Sequence, residues 1–180
     1  MTASRKTAAN LVWLLTGIAR DGLSVTLRTL SLQHLAGRSP KEILAAFTDT
    51  VCSSGSLIDE GIARAAYVET VLELAEAEVD LQTLTKEQIT AITLEFICRS
   101  IVLRVINDIG TKYDVKALSV EQAEAATQAL RDLVSGAVQD RLREELEKTG
   151  ALRSASLAES MNRIYEIAFN LIEGEATNLL

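Results

Sequence analysis

The sequence predicts an all-α fold, a compact single-domain bundle of six to seven helices around a buried central helix at about residues 86–109. Three observations carry this. Alanine, leucine, glutamate and isoleucine dominate, with one proline and few aromatics, a helix-former's composition. Capping signatures recur along the chain. Apolar residues repeat at spacings of three and four over long stretches.

The first helix is expected at about Thr7–Asp21, with Leu11, Leu14, Leu15 and Ile18 on one side; Met1–Lys6 read as a flexible arm before a domain at 7–180. A second is expected at about Leu23–Leu35. Ser39-Pro40-Lys41-Glu42 is a capping box with proline at the first helical position, opening a third helix to about Val51. Ser56 precedes a fourth at about Leu57–Ala77, with Asp59 and Glu60 in its first turn and Ile58, Ile62, Ala65, Val68 and Leu72 facing inward. Thr85-Lys86-Glu87-Gln88 opens the fifth, at about Lys86–Ile109. It is apolar nearly all round, which marks a buried central helix. Ser119-Val120-Glu121-Gln122 opens the sixth, to about Lys148. The last, about Ser156–Glu173, has the stripe Leu157, Met161, Ile164, Tyr165, Ala168, Leu171 and Ile172. Gly150 and Gly174 are placed as C-terminal caps do.

Charge excludes some functions. Net charge is −7; through Ser56 the balance is +3, leaving −10 for the rest, an acidic body that disfavours a nucleic-acid footprint. Glu95, Arg99 and Arg104 interrupt the longest apolar segment, so no membrane span is expected. Cys52 and Cys98 match no metal-ligand or redox spacing and read as free thiols of a cytoplasmic protein. No P-loop, Gly-rich dinucleotide turn, His-Glu-x-x-His or Cys-x-x-Cys is present, and the lone His34 reads as a surface or interface residue. No catalytic residue, cofactor or metal is expected.

Two charged stretches remain, Ser56–Arg64 and Arg104–Lys112. Glu60 and Arg64, Arg104 and Asp108, and Glu95 and Arg99 are each four apart and can pair on one helix face. Arg104 lies about half a turn from Glu95, on the side shared with Ile97 and Ile101. An arginine there needs a partner, and Asp108, Asp59 and Glu60 are the candidates. The group Asp59, Glu60, Arg64, Arg104, Asp108 and Lys112 reads either as a polar network pinning two helices together or as a partner-docking groove. As an acid site it lacks a nucleophile or metal ligand.

These stretches, with Leu35–Pro40, Gly55–Arg64, Asp80–Gln88 and Ser100–Lys112 in this order, resemble the helical domain of the B component of Qat anti-phage defence systems (QatB-like). The informative part runs from Gly37 to Lys112. The resemblance implies a non-enzymatic component that binds a QueC-like enzyme of the same operon, beside an ATPase and a TatD-like nuclease. The family's flexible Gly/Ser-rich N-terminal segment is not visible here. That segment is a plausible substrate for modification by the QueC-like enzyme; the sequence reads as a truncated form or a relative without the tail, which puts N-terminal modification in doubt for this chain. Two other expectations compete: a homo-oligomeric helical scaffold, with an apolar patch from Leu27, Leu30, Leu32 and Leu35, and an enzyme holding a metal between Asp59, Glu60 and Asp108.

Overall fold

A helix apolar nearly all round has to be covered by others. In the computed structural model, which describes residues 1–53, 57–112, 119–149 and 154–179, one such helix is. The helices are α1 (Thr2–Asp21), α2 (Leu23–Thr29), α3 (Pro40–Ala46), α4 (Thr48–Val51), α5 (Ile58–Glu76), α6 (Lys86–Lys112), α7 (Val120–Thr149) and α8 (Ser154–Leu179), with a 3-10 turn at Gln33–Leu35. The described residues contain no strand. α1, α5, α7 and α8 all pack on α6. Leu94, Phe96, Ile97, Ile101, Val102 and Val105 of α6 are buried. The hydroxyls of Thr93 and Ser100, also buried there, donate to the carbonyls of Ile89 and Ile97, so neither of these two is stranded.

Three expected caps form. Ser39 and Glu42 exchange hydrogen bonds at the start of α3. Thr85 and Gln88 do so at α6, and Ser119 and Gln122 at α7. Each satisfies orphan N–H groups of a first turn. Ser56 lies outside the described residues. The carboxylate of Glu60 accepts from the Leu57 N–H at 3.1 Å instead, closing the start of α5.

Several expectations need correction. Residues Thr2–Lys6 are not an arm: α1 begins at Thr2, and Ala3 and Ser4 face the core. Its inward stripe simply continues in residues too small to register as an apolar pattern. The second helix stops at Thr29. Ser31 takes a left-handed φ of 58°, while the N–H groups of Ser31 and Leu32 return to the carbonyls of Arg28 and Leu27. That is the Schellman closure, made here without glycine. Leu27 is buried, and Leu30, Leu32 and Leu35 pack against the core, so this segment offers no exposed leucine patch. The third helix breaks at Phe47, a fully buried side chain that separates α3 from α4. Gly174 lies inside α8 rather than at its end, and Gly150 lies outside the described residues.

The largest correction concerns α5. Its buried residues are Ile62, Ala63, Ala66, Tyr67, Thr70 and Val71. Tyr67 is held by its hydroxyl donating to the Leu44 carbonyl at 2.8 Å. Ile58, Ala65, Val68 and Leu72, expected inward, are on the open side. On α8 the stripe Leu157, Met161, Ile164 and Ala168 is buried as expected, but Leu171 is half-exposed.

Candidate functional site

The first turn of α1 has no side-chain cap of its own. Its free N–H groups and the positive end of its dipole call for an anion. Asp59, in the first turn of α5, supplies it. The Ala3 N–H donates to Asp59 Oδ2 at 2.8 Å, and the Met1 amino group lies 3.3 Å from Oδ1. Arg104 of α6 reaches the same Oδ1 at 3.5 Å through Nη1 and donates from Nε to Asp108 Oδ2 at 2.7 Å. Tyr165 of α8 donates its hydroxyl to Asp108 Oδ2 at 2.7 Å, and Asn107 donates to Oδ1 at 3.0 Å. One guanidinium between two carboxylates thus ties α1, α5, α6 and α8 together.

The electrostatics agree with this geometry. Burial pushes the carboxyls of Asp59 and Asp108 up, but their donors outweigh it and hold both below the usual carboxylate range. For Asp59 these are the Ala3 N–H, the amino group and Arg104; for Asp108, Tyr165, Arg104 and Asn107. The hydrogen bond to Asp108 raises Arg104 further. Burial and then the Asp108 carboxylate push the Tyr165 hydroxyl up to about 12. All four groups therefore keep one protonation state near neutral pH.

The expected pair of Arg104 with Asp108 forms, as does the long-range contact to Asp59. Glu60 and Arg64 do not pair. Glu60 serves the helix start, and Arg64 reaches Asp49 of α4 at 2.7 Å. Lys112 closes α6, and its side chain is outside the described set. Tyr165 and the start of α1 belong to the node without being among the sequence-predicted candidates. A tyrosine in a helix stripe carries a hydroxyl that needs a partner when packed, and that was the available signal.

A second cluster lies on the opposite side of α6. Arg99 Nε is 2.7 Å from Glu95, and its other nitrogens contact Glu69 at 3.3 Å and Glu73, both on α5. Three carboxylates share one guanidinium, so the cluster is net negative. Neither cluster gathers a metal-ligating set: among the described residues no three His, Cys, Asp or Glu side chains converge on a point that could hold an ion. Cys52 and Cys98 are buried free thiols, and burial pushes them up to about 11 and about 12, away from reactive thiolate. Among the described residues no helix is long and apolar enough to cross a membrane.

The outer side of α5 is the other notable feature. Ile58, Val68 and Leu72 are 64%, 44% and 43% exposed, and Gly61 and Ala65 between them are open to solvent as well. They form one stripe at three- and four-residue spacing.

A family model described as Qat anti-phage system associated protein QatB matches residues 1–172. No curated protein and no solved structure matches the chain.

Proposed function

Because the chain belongs to the QatB family of Qat anti-phage system associated proteins, we propose that it is a non-enzymatic binding component of a bacterial defence system, partner or substrate of a QueC-like enzyme of the same operon. The family match over nearly the whole chain is the observation that carries this reading. The chemistry of the charged residues supports it. In the node around Arg104 each charged group is already engaged by another, and it spans four helices as a tie between them. Groups committed in this way are poorly placed to exchange protons with a substrate. The same reading places the chain in the cytoplasm beside the ATPase and the TatD-like nuclease, without direct contact to nucleic acid. Its acidic balance of −7 favours protein partners over phosphate backbones.

The test is co-expression of the tagged chain with the QueC-like enzyme, followed by size-exclusion chromatography. Co-elution is expected. Separate elution of two folded proteins would count against the reading.

A further inference from the structure

We propose that the outer face of α5 is the docking surface for a basic amphipathic helix of a protein partner, an inference that rests on the reading of this chain as a binding component. Ile58, Gly61, Ala65, Val68 and Leu72 fall on one side of the helix, at the alternating spacing of a coiled-coil seam. At 1.5 Å per residue the stripe runs about 20 Å, the length over which one helix lies along another. Among the described residues it stays open to solvent, while the residues that α5 buries against its neighbours α1, α3, α4 and α6 include Ala66, Tyr67 and Thr70. A glycine inside a helix weakens it. No packing within the chain asks for one at Gly61, where a Cβ would meet nothing within 4 Å. With Ala65 one turn later, it leaves a low point at which a second helix can approach closely.

Charge selects the occupant. α5 carries Asp59, Glu60, Glu69, Glu73 and Glu76 against a single arginine, Arg64, which is engaged with Asp49. On the helix wheel Glu69, Glu73 and Glu76 border one edge of the stripe. Glu69 and Glu73 share their one cation, Arg99, with Glu95. A second copy of this chain would bring the same excess of acid against itself, and like charges across an interface oppose docking. A helix with apolar residues at matching spacing and Lys or Arg beside them satisfies both the stripe and its border. This is the helix-on-helix mode of recognition, with charge fixing register.

The test captures the QueC-like enzyme of the operon with the tagged chain. Four forms are compared: wild type, Val68→Glu/Leu72→Glu, Ile58→Glu, and an α8 control, Ile167→Glu/Leu171→Glu, at two residues that are also half-exposed. Ile58→Glu adds acid to a first turn, where the helix dipole favours it, so it keeps a folded variant in the set. Wild type and the α8 control are expected to capture the enzyme. Both α5 variants lose at least tenfold, and wild-type capture weakens as salt is raised from about 0.1 to 0.5 M. Undiminished capture by the folded α5 variants overturns the docking surface and leaves the binding function standing. Failure of wild type to capture anything overturns the binding function, and the docking surface falls with it. A wild-type chain that sediments alone as a dimer, and as a monomer once Val68 and Leu72 are replaced, makes the occupant a second copy and also overturns the proposal.

Discussion

The inner and outer faces of α5 are both spaced for burial, yet only one is buried, and it is the more polar of the two. The inner face holds Tyr67 and Thr70, whose hydroxyls donate to the carbonyls of Leu44 and Ala66. The outer face holds Ile58, Val68 and Leu72, which are 64%, 44% and 43% exposed. Hydrophobicity ranks which residues can be buried. It does not decide which face is buried when a helix offers two. Here the decision falls to what the neighbours can satisfy: Tyr67 finds a carbonyl, and Asp59, at the foot of the same helix, finds the start of α1 and Arg104. The apolar face left over is the one feature of α5 that folding does not explain, which is why binding is assigned to it.

Breaking the inner side is expected to have the largest effect. Arg104→Ala leaves Asp59 and Asp108 without their shared cation. Removing one partner of a fully buried pair costs about 3–5 kcal/mol; the partial exposure of this one reduces that to about 2 kcal/mol, read in a denaturant melt. The same node has a pH signature. Its two carboxyls are depressed in the folded chain, so their contribution is present above the unfolded carboxyl value of about 4 and is lost as pH falls through the folded values. Asp108→Asn is expected to flatten the fall of stability below about pH 4; an unchanged acid limb would show that Asp108 titrates as in the unfolded chain. Next comes Tyr67→Phe, which removes a buried hydrogen bond to the Leu44 carbonyl, an acceptor that keeps the Phe47 N–H at 3.2 Å, and costs about 1 kcal/mol. The smallest change has the opposite sign. Gly61→Ala, on the open face, raises stability by about 0.5–1 kcal/mol, because it gains helix propensity and meets no neighbour.

Features set by local geometry were legible in the sequence. The capping boxes at Ser39, Thr85 and Ser119 formed because each involves residues three apart on one turn. Arg104 with Asp108 and Arg99 with Glu95 followed from the i,i+4 spacing; the phase of α6 showed that Arg104 needs a partner and left Asp59 and Glu60 both open as the long-range one, of which Asp59 is in contact. What was not legible depends on tertiary neighbours. Arg64 pairs with Asp49 of α4, fifteen residues away, and not with Glu60. The stop at Ser31 and the matching left-handed turn at Glu78 use residues that seldom adopt positive φ, so no glycine announces them. The choice between the two faces of α5 is of the same kind: periodicity identifies both and ranks neither.

The Arg104 node ties four helices together, while the outer face of α5 stays open to solvent. Thermal melts of Arg104→Ala and of Val68→Glu/Leu72→Glu, run side by side at pH 7, test it most directly. For a chain of this size each kcal/mol shifts the midpoint by about 2–4 °C. A fall of about 4–8 °C is expected for Arg104→Ala and a change within about 2 °C for the double glutamate variant. The reverse pattern, a stable Arg104→Ala chain and a collapsed α5 variant, would contradict it.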